Sequence, residues 1–202
     1  MSRISVLDAR FVEWLVEVDR QSAFPPGGVG DCPACGGALH QAHYDRKSRW
    51  WPPGSDQVEG YDRRFSFCCA REGCRKRQTP PSVRFLGRRV YLGVMVVLIA
   101  AMTHGVTTRR CRSLCDRFGI DRRTLCRWRE WWQTFFARSE CRLAEPAAAA
   151  IPAVELPRAL LMLFCVEGRG LRERMVERVK KMLLLLQPLT TRSWGASGQP
   201  AF

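Results

Sequence analysis

The chain has 202 residues, enough for one compact domain or two to three small ones. With 46% apolar and 26% charged residues it is composed for a packed core, which excludes an intrinsically disordered chain. The 33 Lys+Arg, of which 29 are Arg, stand against 19 Asp+Glu and leave a formal charge of +14. That excess points to a polyanionic partner, nucleic acid ahead of an anionic membrane surface.

Acidic and basic residues are spread through the first twenty positions, and no positive stretch followed by an apolar run is seen. That pattern argues against a signal peptide and for a reducing, cytoplasmic compartment. In such a compartment the ten cysteines are metal ligands where they cluster and small buried hydrophobes where they scatter.

In chain order, residues 1–20 predict an amphipathic helix, with Leu7, Phe11, Trp14, Leu15 and Val18 inward and Asp8, Glu13, Glu17 and Asp19 mostly opposite. Phe24-Pro25-Pro26-Gly27-Gly28 reads as a linker.

Residues 31–79 predict a zinc ribbon. Cys32-Pro33-Ala34-Cys35-Gly36-Gly37 sets two thiolates on a tight turn, and the glycines let backbone N–H groups approach the sulfurs. A tetrahedral structural site needs a second pair, supplied by Cys69 and Cys74. Cys68 with Cys74 is the competing choice. Adjacent strand residues face opposite ways, so only one of the two aims at the metal. The shorter spacing, with Cys69 on the face of Phe65 and Phe67, favours Cys69. His40 or His43 would be alternative ligands. A module this small leans on its Zn2+ to fold.

From Tyr61 to Tyr91 nine Arg or Lys stand against two acids, a net of +7, interleaved with Tyr61, Phe65, Phe67 and Phe85. The run (Arg63, Arg64, Arg71, Arg75, Lys76, Arg77, Arg84, Arg88 and Arg89) is suited to phosphate contacts.

Residues 82–137 predict three helices. The first spans about 87–103. It contains the apolar run from Val90 to Met102, which is too short for a membrane span and reads as a core helix. The second covers about 107–117, with Arg109 and Arg110 near its start. The third begins at Asp121, a good N-cap, after the turn Phe118-Gly119-Ile120. This is the layout of a helix-turn-helix. Ile120, Leu125 and Trp128 would pack inward, leaving Arg122, Arg123, Thr124, Arg127 and Cys126 toward a major groove. Cys111 and Cys115 read as core packing.

The Ala/Pro-rich stretch from Glu140 to Pro157 reads as a second linker, residues 156–187 as a helical hairpin and residues 188–202 as a disordered tail. Leu171, Met175, Val179, Met182 and Leu186 form a stripe that is either internal core or a homodimer seam; a dimer would suit inverted-repeat DNA.

The knuckle, the basic aromatic strand into Cys69 and Cys74, the exit Arg77-Gln78-Thr79-Pro80 and the segment GIDRRTLCRWREWW together resemble the DNA-binding region of bacterial insertion-sequence transposases and their accessory proteins. The resemblance covers about residues 31–137. It implies that Cys32, Cys35, Cys69 and Cys74 hold zinc and that Arg122, Arg123, Thr124 and Arg127 read bases. Arg109, Arg110, Arg75, Lys76 and Arg77 complete the DNA-facing set. Full transposases carry a catalytic domain with three carboxylates around two metal ions. Here no aspartate follows Asp121, and the stretch after residue 137 is too short for that domain.

The expected fold is therefore mainly α with a small β zinc ribbon, followed by a three-helix helix-turn-helix bundle and a helical hairpin. The expected function is zinc-dependent, sequence-specific binding of double-stranded DNA, nucleoid-associated and without catalysis, alone or beside a partner recombinase. A helix-turn-helix transcriptional regulator or a zinc-ribbon protein adaptor are the other readings.

Overall fold

The computed structural model describes residues 7–47, 51–52, 54–86, 93, 107–166 and 170–190. The expected helix over 87–103, apart from residue 93, together with His104 and the tail from 191, lies outside them. The described chain is mainly helical with small antiparallel sheets, and it divides into two compact units. One takes in the described residues from 7 to 86 and from 187 to 190. The other takes in those from 93 to 186. Among the described residues no helix is long and apolar enough to cross a membrane.

In the first unit, helix α1 (Ala9–Ala23) starts where Asp8 caps it by accepting the Phe11 N–H at 3.2 Å. Phe11, Val12, Leu15 and Ala23 are its buried face. Asp19, expected outside, is buried among them. Strand β1 (Leu39–Gln41) is followed by β2 (Tyr44–Asp45), β3 (Arg63–Arg64), β4 (Phe67–Cys69) and β5 (Arg77–Gln78). A three-stranded sheet runs in the order β1-β4-β5, with Leu39 opposite Cys69 and Cys68 opposite Arg77. β2 pairs separately with β3, Tyr44 opposite Arg64. Along β4 the side chains alternate, so Phe67 and Cys69 are buried and Cys68 is half-buried. Phe24, His43, Phe65 and Phe67 meet edge to face with ring centroids 5.2–6.0 Å apart.

A buried ion pair ties this unit together. Asp19 Oδ2 accepts from Arg84 Nε at 2.8 Å and from Ser82 Oγ at 2.6 Å, and Oδ1 accepts from the Val83 N–H at 2.6 Å. The remaining guanidinium nitrogens of Arg84 donate to the carbonyls of Gly60, Tyr61 and Arg63. Both side chains are fully buried. Such a pair is tolerated because each nitrogen of the guanidinium and each oxygen of the carboxylate finds a hydrogen-bond partner.

The second unit opens with α2 (Thr108–Phe118), which ends at Gly119 in the left-handed region (φ +59°), a conformation glycine adopts without penalty. Helix α3 (Arg122–Glu130) follows after the three residues Gly119, Ile120 and Asp121, its N-cap Asp121 accepting the Thr124 N–H at 2.6 Å. The helical path continues through one wider turn (Trp131–Phe135) and one tighter turn (Phe136–Arg138). Leu125, Trp128, Trp132 and Phe136 are buried along it, and the rings of Trp132 and Phe136 cross at 4.8 Å.

The stretch from Glu140 to Pro157 is not an open linker. It forms α4 (Glu140–Leu143), α5 (Pro146–Ala149) and a tight turn (Ala153–Glu155), burying Ala148, Ile151 and Leu156. The buried guanidinium of Arg142 organises it by donating to the carbonyls of Ala137, Ala148, Ala149 and Ile151. Those carbonyls lie at or near the ends of short helical turns, where intrahelical donors run short, although Ala148 also accepts the Ile151 N–H. Helix α6 (Arg158–Leu163) then packs on α7 (Leu171–Leu186). Met175, Val179, Met182 and Leu186 of the expected stripe are buried within the chain, whereas Leu171 is exposed. Past α7, Gln187–Thr190 forms one further turn, in the first unit, with Leu189 and Thr190 buried, so residues 188–190, expected in the tail, are folded.

Candidate metal centre and basic surfaces

Two knuckles that are distant in sequence deliver four thiols to one place. The first turns on the N–H groups of Cys35 and Gly36, both donated to the Cys32 carbonyl, and is closed by the Cys32 N–H donating to the Gly37 carbonyl at 2.8 Å. The second turns on the N–H groups of Cys74 and Arg75, which donate to the Arg71 carbonyl. β1 and β4, paired at Leu39 and Cys69, bring the knuckles side by side.

The sulfurs of Cys32, Cys35, Cys69 and Cys74 all lie within 4.8 Å of one another, with Cys35 and Cys69 3.4 Å apart and Cys32 and Cys74 3.9 Å apart. Four thiolates at about 2.3 Å from a tetrahedral ion stand about 3.8 Å apart, so the set fits a metal ion. The backbone is shaped for it too. A Cβ on Gly37 would lie 3.2 Å from the Cys69 sulfur and 3.4 Å from that of Cys35. Any side chain there would push into the tetrad. The Arg71 N–H donates to the Cys69 sulfur at 3.4 Å, as a thiolate ligand requires.

Within the close pair the charge is unevenly held. A hydrogen bond from the Gly37 backbone, helped by the neighbouring thiols, draws Cys35 down to about 7. Burial pushes Cys69 up to about 12. A bound cation would displace the remaining thiol protons and hold all four sulfurs as thiolates.

Cys69 rather than Cys68 belongs to the set, by the strand alternation described above. The Cys68 thiol turns away and donates to the Arg75 carbonyl at 3.5 Å. Neither histidine joins. His40 is exposed opposite Cys68, and His43 Nδ1 accepts the Ser66 N–H at 3.1 Å. Among the described residues this is the one cluster of Cys, His and acidic side chains arranged for a metal ion, and Cys111, Cys115 and Cys126 do not form another.

Arg75, Lys76 and Arg77, which follow Cys74, are exposed as expected. The Arg77 guanidinium sits 5.3 Å over the Tyr44 ring and donates to the Ala42 carbonyl at 3.2 Å. The basic run is smaller at the surface than its count implies. Arg84 is consumed by Asp19, and Arg64 is buried with Nη2 donating to the Pro80 carbonyl at 2.7 Å. Burial pulls Arg64 down to about 10, so it still carries its charge at neutral pH. Neither can face a phosphate. Nothing in the local sequence distinguishes these two arginines from their exposed neighbours, since the partner acid lies on α1.

In the second unit, Arg109 is exposed on α2 and Arg110 lies on the same helix. Arg122, Arg123, Cys126 and Arg127 are exposed on α3. Thr124, expected beside them, is buried at 3% exposure. Its hydroxyl donates to Asp121 Oδ2 at 3.1 Å and accepts from Arg127 Nη2 at 2.9 Å. It is therefore an internal link and not a base contact.

The chain was compared with known protein families, curated proteins and solved structures. None of them matches.

Proposed function

We propose that the chain is a zinc-dependent, sequence-specific binder of double-stranded DNA, related to the DNA-binding part of a transposase. Its first unit is a zinc ribbon in which Cys32, Cys35, Cys69 and Cys74 hold Zn2+. Four thiolates in a closed set suit a structural ion, whose contribution is to hold the two knuckles together. Helices α2 and α3 are the helix-turn-helix, and α3 is the element that enters the major groove.

The observation that carries the reading is the division of α3. Leu125 and Trp128 are buried, while Arg122, Arg123 and Arg127 stand exposed at its N-terminal part, directly after a capped turn. That is where a groove-reading helix puts its base and phosphate contacts. Arg75, Lys76, Arg77 and Arg109 add exposed positive charge for the backbone.

The test is selection of genomic fragments by the zinc-loaded protein at about 150 mM salt, where non-specific phosphate binding is weakened. Enrichment of inverted repeats flanking mobile elements is the expected result. Enrichment of promoters would replace the transposition link with regulation. Recovery of no preferred sequence would overturn the reading.

A further inference from the structure

Of the four exposed arginines of α3 (Arg122, Arg123, Arg127 and Arg129), the three expected to face DNA are not equivalent. Among the described residues no hydrogen bond holds the side chains of Arg122 and Arg123, which are exposed. Arg127 is held. Its Nη2 donates to Thr124 Oγ at 2.9 Å, and that hydroxyl passes its own proton to Asp121 Oδ2 at 3.1 Å. Residues 121, 124 and 127 follow one another at three-residue steps, which stacks them along one side of the helix.

The chain of bonds has a fixed direction. A threonine hydroxyl has one proton to give, and Asp121 takes it, so Thr124 can only accept from Arg127. Asp121 is itself locked by the Thr124 N–H at 2.6 Å, which holds its carboxyl below the usual range and keeps it charged. Thr124 cannot swing away, because it is buried. One hydrogen of Nη2 is used, which leaves the opposite two-donor edge of the guanidinium free. Two parallel donors of fixed direction match the O6 and N7 acceptors of guanine, whereas a mobile cation matches any phosphate.

We propose that Thr124 is a positioning residue that aims Arg127 at a single guanine. Arg127 thereby sets the sequence preference of α3, while Arg122 and Arg123 supply sequence-independent phosphate contacts. The proposal rests on the DNA-binding reading above and adds which arginine specifies and what holds it in place.

The experiment is a binding selection from a randomised duplex pool with the full-length, zinc-loaded protein and the variants Arg127→Lys, Thr124→Val and Thr124→Ser. The wild type should prefer guanine at one position by about 5- to 150-fold, the range of a bidentate arginine–guanine pair. Arg127→Lys keeps the charge and should abolish that preference. Thr124→Val keeps the shape, removes the hydroxyl, and should reduce the preference at the same position without changing the dependence of affinity on salt. Thr124→Ser should restore it. A second measurement needs no variant. In the free protein the Arg127 guanidinium should rotate and exchange its protons more slowly by NMR than those of Arg122 and Arg123.

A wild-type preference that Thr124→Val leaves intact, or equal mobility of the three guanidinium groups, would overturn the positioning role while DNA recognition stands. A wild type with no preferred sequence would instead overturn the DNA-binding reading itself.

Discussion

Replacing Cys69 with serine tests the metal centre most sharply, because its neighbour Cys68 provides an internal control one residue away. Cys69 is fully buried and its sulfur lies 3.4 Å from that of Cys35, whereas the Cys68 sulfur is turned toward the Arg75 carbonyl. Binding of structural zinc by four ligands is worth about 10–16 kcal/mol, so an even share is about 2.5–4 kcal/mol per thiolate, or about 10²- to 10³-fold in affinity. The assay is competition for Zn2+ against a chelator of known affinity, with metal content measured on the purified proteins. Cys69→Ser should weaken binding by that factor, and Cys68→Ser should leave it at the wild-type value. Equal losses in the two variants, or a Cys69→Ser protein that holds zinc undiminished, would refute the assignment. So would a purified protein whose tightly bound metal is not zinc.

Two further outcomes follow from the polar links in the interior. Asp19→Ala strands the Ser82 hydroxyl, the Val83 N–H and the Arg84 guanidinium in a dry site, and it should cost about 3–5 kcal/mol in urea unfolding, as breaking a buried ion pair does; a loss below about 1 kcal/mol would show that the site rehydrates. The Asp121 carboxyl is held below its ordinary range, chiefly by the Thr124 N–H, so its charged cap is fully present above the ordinary aspartate value of about 3.9 and is lost as pH falls through the lower folded-state value. The extra thermal stability of wild type over Asp121→Ala should therefore hold steady from neutral pH down to about 4 and shrink below it, and a difference that persists unchanged at pH 2 would refute a charged cap.

The features legible in the sequence are those governed by near neighbours. A knuckle is a matter of spacing and turn chemistry, so Cys32 and Cys35 could be read directly. Strand alternation admits only one of Cys68 and Cys69, and the shorter spacing to Cys74 favours Cys69; both are properties of near neighbours. Asp121 as a cap, Gly119 as a left-handed turn, and Leu125 and Trp128 as an inward pair all depend on contacts within one helical turn or two. The bounds of α1 were less legible: expected over residues 1–20, with Asp8 on its polar face, the helix starts after Asp8 as its cap and runs to Ala23.

What only the tertiary structure decided is the fate of individual polar side chains. Asp19, Arg64, Arg84 and Arg142 look like surface charges in any window of sequence, yet all four are buried. Burying a charge is favourable only when partners arrive from elsewhere, and Arg84 finds its acid on α1 and its carbonyls on the turn and strand over Gly60–Arg63. Arg142 likewise converts an alanine- and proline-rich stretch that reads as a linker into folded chain, because its guanidinium supplies the donors that several short turns lack. Thr124 passed for an exposed reader of bases until its hydroxyl was seen between Asp121 and Arg127. Local periodicity determined where the helices and knuckles form. Which charged groups face solvent was decided by long-range pairing, since the cost of desolvating an ion is set by all of its neighbours at once.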